Sequence, residues 1–167
     1  MSEAMSGKQV FEVVFDAEGV AVGKMRNEVT LTARAPFTSV NMLATDEGPF
    51  QGGEGTAPTP LEFFLTGLVG CLMTQIRAFS RKLKIEVSDV KVRCRAEWTA
   101  ETGTVGPYEG SPRGFHLDVD VVSDAPAEDV ARLVEAAKRG CFVEQTLAVP
   151  NTVTHRLRIN EGAWTDA

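Results

Sequence analysis

The chain is poor in the features that mark several large functional classes. It has three cysteines in 167 residues, an odd number and a low density, which argues against a disulfide framework. None belongs to a CxxC pair, so local spacing supports neither a zinc site nor a thioredoxin-type motif. No basic cluster stands out, and the formal net charge is −6. Phosphate contacts need Lys and Arg gathered on one face, so nucleic-acid binding is disfavoured. The two histidines, His116 and His155, fall on the polar phases of two predicted strands with no metal-ligand spacing nearby. Both read as exposed and non-catalytic, and no metal is implied. The opening MSEAMSGKQV lacks an apolar core, so no secretory signal is visible. The longest apolar stretch, Leu61 to Met73, is interrupted by Glu62 and Thr66. It falls short of the roughly 20 apolar residues of a membrane span. A reducing cytoplasm is the expected compartment, with no membrane partner.

What is present suits a globular protein. An apolar content of 43% over 167 residues gives one domain, residues 1–167, enough material for a core. Val10 to Phe15 and Gly19 to Lys24 flank the turn signal Asp16-Ala17-Glu18-Gly19 and are expected to form a hairpin. Val29, Leu31 and Ala33 alternate with Thr30, Thr32 and Arg34, the period of a half-buried strand. Phe37 to Leu43 is expected as another strand within the N-terminal strand region, residues 1–50. Residues 45–57 form a Gly-rich loop with Gly48-Pro49 and Gly52-Gly53 as breakers.

A helix is predicted over residues 59–82. Thr59 takes the N-cap, Pro60 the first helical position and Glu62 the third, which makes a capping box. The helix is apolar around most of its circumference as far as Met73 and is expected to be buried on nearly all sides. Gly67 and Gly70 permit close approach of another backbone. Val90, Val92, Cys94, Ala96 and Trp98 then alternate strictly with charged residues, so Cys94 is expected to pack in the core. Glu101 to Arg113 reads as a loop, and Phe115 to Val121 as the pairing strand. A second helical region, residues 126–148, begins with an amphipathic helix presenting Val130, Leu133, Val134 and Ala137. Gly140 is expected as its left-handed cap, a short helix follows from Cys141, and Thr152 to Ile159 forms a last strand. The order of elements defines an α+β fold.

Cys71 lies inside PTPLEFFLTGLVGCLMTQIRAF, whereas Cys141 follows a glycine in AAKRGCFVEQTL. Two isolated thiols read either as a nucleophile with a resolving partner or as two buried structural cysteines. At a helix start, Cys141 is expected to have a lowered pKa. Cys71, in mid-helix, needs a cation from elsewhere, and Arg34 and Arg26 are the candidates. Phe63, Phe64, Phe79 and Phe142 suit either packing or an apolar channel.

The stretch GGEGTAPTPLEFFLTGLVGC resembles the central-helix motif of the OsmC/Ohr family. FHLDVDVVSDAPAEDVARLVEAAKRGCFVEQTL resembles the family's second-cysteine region in its order of strand, helix and cysteine. The resemblance implies an intertwined homodimer, with a long buried central helix and an active site at the subunit interface. It also implies reduction of organic hydroperoxides, with an external dithiol reductant and no bound cofactor. Carried over, Cys71 is the peroxidatic cysteine and Cys141 the resolving one. Glu62 and Arg34 complete the set of candidate site residues. In the best-known members a glutamate follows the helix-start proline directly. Here that position is Leu61, and Glu62 comes one residue later, about 100° further round the helix. The position after the second cysteine, often proline, is Phe142. These departures keep open an alternative: a non-enzymatic binding or redox-sensing protein on the same fold.

Overall fold

Three antiparallel strands open the structure. The computed structural model describes residues 9–167, so most of the opening stretch read for a leader lies outside the described residues. Strand β1 (Val14–Ala21) pairs with β2 (Asn27–Ala35), which pairs with β3 (Ser39–Thr45). The expected hairpin turn at Asp16–Gly19 is not there: β1 runs straight through it, with Asp16 opposite Thr32 and Gly19 opposite Val29. The chain reverses instead beyond Val22, whose N–H donates to the Arg26 carbonyl at 2.8 Å. Gly23 supplies the φ of +86° that this turn needs. Asp16 and Glu18 are therefore the outward phase of a strand rather than turn residues.

The chain divides into two compact units, residues 1–64 and 65–167. In the first, the loop after β3 contains a single 3-10 turn, Pro49–Gln51, and is tied together by Asp46. This carboxylate is buried. It accepts from the backbone N–H of Glu47 at 2.9 Å, and from the Thr56 N–H and hydroxyl at 2.8 Å each. The hydrogen bonds from Thr56 hold the Asp46 carboxyl below its ordinary pKa, against the opposing effect of burial. Gly53 packs against the same loop, where a Cβ would lie 1.8 Å from the Glu47 carbonyl oxygen.

Helix α1 (Pro60–Leu83) starts where its cap signals place it. The Thr59 N–H donates to Glu62 Oε2 at 2.6 Å, and the Glu62 N–H donates to Thr59 Oγ1 at 3.3 Å. Only Leu68, Leu72 and Ile76 are buried, a stripe at four-residue spacing rather than the nearly complete burial expected. Because α1 continues for 24 residues to Leu83, it is long and apolar enough to cross a membrane by length and composition. This corrects the shorter estimate from the Leu61–Met73 run. Leu72 and Ile76 instead belong to the hydrophobic core of the second unit.

In that unit β4 (Asp89–Glu101) pairs antiparallel with β5 (Glu109–Val122), and Cys94 lies opposite Leu117. The loop expected as far as Arg113 is shorter, because strand pairing resumes at Glu109 and passes Pro112 beyond a register shift at Glu97/Trp98. Trp98 meets Phe115 edge to face at 5.5 Å. Helix α2 (Ala127–Gly140) buries Leu133 and Ala137. Acidic Glu128 and Asp129 occupy its first turn and Lys138 and Arg139 its last, matching the helix dipole. Gly140 is not a left-handed cap: it is the last helical residue, and a Cβ there would stand 2.6 Å from the Phe79 ring. Close packing against α1, not φ, demands glycine here. Helix α3 (Phe142–Ala148) follows directly. The expected final strand shrinks to β6 (Arg156–Leu157), paired with β7 (Thr165–Asp166). His155 thus precedes a strand rather than lying within one. Arg156 and Arg158 stack over Trp164. The result is an α+β architecture of antiparallel sheets with three α-helices among the described residues.

Candidate active site

The core of the second unit brings two of its thiols together. Leu72, Ile76, Ile85, Leu133, Ala137 and Cys141 form the buried cluster, with Cys71 packed against it. Cys71 is partly exposed on α1, one residue before Leu72. Cys141 is completely buried at the junction of α2 and α3, with extended backbone at φ −77° and ψ 104°. The thiols of Cys71 and Cys141 lie close enough to bear on one another, and neither is in a disulfide. Residues from distant parts of the chain are therefore brought together.

Cys141 caps α3. Its Sγ accepts from the Glu144 N–H at 3.4 Å. That bond favours the thiolate, as expected for a helix start, but it does not prevail. Burial pushes the Cys141 thiol up to about 11, and the Cys71 contact and the Glu144 charge add to the rise. The sequence expectation of a lowered value is thus overturned: one helix N–H offsets only part of the cost of removing a thiolate from water.

Cys94 does not join the pair. It sits on the half-buried face of β4, and burial raises its pKa. Rather than being sealed in the core, it opens onto a cleft of about 420 Å³ lined also by Leu65, Thr66, Val69 and Gly70 of α1. Arg34 Nε donates to Asp16 Oδ2 at 2.7 Å in an exposed ion pair. Arg26 donates to Thr56 Oγ1 at 2.9 Å and lies 3.7 Å from Glu28. Both arginines belong to the first unit and both paired cysteines to the second. His116 is exposed, and among the described residues no group of three His, Cys, Asp or Glu could hold a metal.

Glu62 closes the capping box described above, and the Thr59 hydrogen bonds hold its carboxyl below the ordinary value. Glu62→Gln keeps the reciprocal hydrogen bond possible and removes only the charge. Whatever reaction the thiols carry out should then keep a rate within about threefold of the parent, well short of the 10²-fold or more for a proton-transfer group. Steady-state assay alongside thermal melting checks this. Lost turnover at an unchanged melting temperature would put Glu62 in the chemistry.

Sequence reasoning missed two residues, Asp46 and Glu144. The signal for Glu144 was its spacing: Cys141-x-x-Glu144 repeats the Thr59-x-x-Glu62 pattern of a cap residue and a glutamate three positions later.

A pair of thiols, one partly exposed on a long apolar helix and one buried at a helix junction, on an α+β fold of antiparallel sheets, defines a class of thiol-bearing proteins. The chain belongs to the OsmC family, since the model described as OsmC-like protein matches residues 53–156. It is similar to an OsmC-like hydroperoxide resistance protein from Jannaschia sp. CCS1. The two share 46% identity over 93% of this chain and 98% of that one, with a TM-score of 0.63. An organic hydroperoxide resistance protein OsmC from Legionella pneumophila shares the fold at 20% identity, over 84% of this chain and 91% of the other, with a TM-score of 0.55. So does an OsmC-like protein from Mycoplasma pneumoniae, at 14% identity, 81% and 87% coverage and a TM-score of 0.59. No curated protein matches the chain.

Proposed function

We propose that the protein is a thiol peroxidase that reduces organic hydroperoxides with Cys71 and Cys141. The observation that carries this reading is that Cys71 packs against the buried cluster containing Cys141, close enough for the two thiols to bear on one another. The Cys71 thiolate attacks the terminal peroxide oxygen, the O–O bond breaks, and the alkoxide leaves as alcohol after taking a proton. Cys71 is then a sulfenic acid. Cys141 sulfur attacks Cys71 sulfur, an S–S bond forms, and water carries away the hydroxyl group and the thiol proton. An external dithiol returns both cysteines to thiols by exchange. Partial exposure of Cys71 admits the peroxide, while burial of Cys141 keeps the second thiol from bulk oxidants. The hydroperoxide resistance relative at 46% identity supports the substrate class.

The working form is a homodimer. In the first unit only Ala33 and Asp46 are buried among the described residues. Phe15, Phe37, Val40 and Met42 stay 56–75% exposed in the single chain. A three-stranded sheet with so little covered apolar surface needs a partner to be stable. A second copy supplies such cover. Light scattering at micromolar concentration should give about twice the 18.0 kDa chain mass; a folded monomer there would defeat the dimer.

The deciding assay is steady-state consumption of an organic hydroperoxide with a dithiol reductant. Sustained, dithiol-dependent turnover supports the peroxidase. Its absence in folded protein favours a binding or redox-sensing role.

A further inference from the structure

Glu144 repeats half of a capping box and leaves the other half undone. Its N–H donates to Cys141 Sγ, as the Glu62 N–H does to Thr59. In a complete box its carboxylate would accept from the Cys141 N–H. That donor is already taken, because the Cys141 N–H bonds the Lys138 carbonyl in the last turn of α2 at 3.3 Å. Glu144 Oε2 is consequently buried with no hydrogen-bond partner. Lys138 does not relieve it by direct pairing: its ammonium lies 2.6 Å from Glu135. Such an orphaned carboxyl oxygen is costly, and it sits on the residue that caps the thiol.

The resolving step needs a proton acceptor. A buried thiol at about 11 is about 1 part in 10⁴ thiolate at neutral pH, since each unit is tenfold. We propose that the Glu144 carboxylate takes the proton from Cys141 as its sulfur attacks Cys71, and returns that proton to the departing hydroxide to make water. This inference rests on the peroxidase reading and adds a proton-accepting residue to it. The groups that bear on the Glu144 carboxyl are Lys138 and Glu135 of α2 and the Cys141 thiol on its own junction, which contacts Cys71 of α1. Burial holds Glu144 above the ordinary glutamate value, Lys138 opposes this and Glu135 adds to it. A base so placed is closer to the pH at which a cytoplasmic thiol works than a free carboxylate. The fold gives up stability for it, because a raised carboxyl pKa destabilises the folded state as pH rises through that value.

The test separates the second step from the first. Cys71 is converted to a mixed disulfide with a coloured aromatic thiol, and release of that thiol by Cys141 is followed by stopped flow between pH 5 and 10. Here Cys141 sulfur displaces the aromatic thiolate, and the proton goes to Glu144. In parallel, oxidation of Cys71 by an organic hydroperoxide and closure of the disulfide are timed in a single turnover. In the parent, the release rate should rise with pH through the Glu144 titration and then flatten. In Glu144→Gln, it should fall by about 10²-fold at neutral pH and climb tenfold per pH unit without flattening, as thiol ionisation takes over. Glu144→Asp keeps the carboxylate and should retain the flattening limb, which a purely structural role would not predict. Loading of Cys71 with the aromatic thiol at the parent rate marks the variants as folded. An unchanged release rate and pH profile in Glu144→Gln would overturn the proposal even if peroxide is turned over. Failure of peroxide to oxidise Cys71, with normal release kinetics, would instead remove the peroxidase reading and leave Glu144 as the proton acceptor for disulfide closure.

Discussion

Replacing Cys71 by serine is expected to lower organic hydroperoxide turnover by about 10³-fold or more, the scale of losing a nucleophile. Serine keeps the size of the side chain but is far less nucleophilic toward peroxide oxygen, because its hydroxyl is barely ionised at neutral pH. Cys141→Ser should behave differently. The first peroxide should react at the parent rate, after which Cys71 stays as a sulfenic acid or over-oxidises, so turnover stops after one cycle. Cys94→Ser should leave turnover within about twofold, a surface-scale effect. Cys94 faces a cleft of about 420 Å³ and is not part of the core cluster around Cys141. Mass-spectrometric peptide mapping after peroxide exposure follows all three sites. A Cys71–Cys94 bridge, or a Cys71→Ser variant that still turns over, would sink this assignment.

The second large effect is on folding. Gly53→Ala places a Cβ 1.8 Å from the Glu47 carbonyl oxygen and 2.5 Å from its carbon. Both are backbone atoms of a loop held by Asp46, so no side-chain rotation relieves the clash. The expected cost is about 3 kcal/mol or more, at the upper end of overpacking. In a chain of this size that is a fall in Tm of roughly 6–12 °C. Gly48→Ala makes a control in the same loop. It has open space around the added Cβ and a negative φ of −76°. It should change Tm by no more than about 1–2 °C, as ordinary surface changes do. Thermal melts of the two variants side by side decide it; equal melting temperatures would mean the loop yields freely around Gly53.

Local signals carried much of the secondary structure. The start of α1 was legible because Thr59, Pro60 and Glu62 act within one turn of chain, and the structure has their hydrogen bonds in place. The alternation along β4 was legible for the same reason: period two is a property of the strand itself. The hairpin was misread because Asp16-Ala17-Glu18-Gly19 has turn composition but occupies the outward phase of β1. Gly140 was misread as a cap because a glycine near a helix end has two explanations, and only the position of the Phe79 ring selects close packing.

What the sequence by itself determined about this protein is the α+β order of elements, the capped apolar helix and the two cysteines that resemble one family's motif. These are short-range, and each residue can be read with its neighbours. Only the tertiary structure decided that Cys71 and Cys141 meet, that burial rather than the helix start governs the Cys141 thiol, and that Glu144 is left without a partner. The reason is physical: desolvation and hydrogen-bond satisfaction depend on what the fold packs around a group. At Cys141 the surrounding core and the carbonyl of Lys138 outweigh what its immediate neighbours in sequence would dictate.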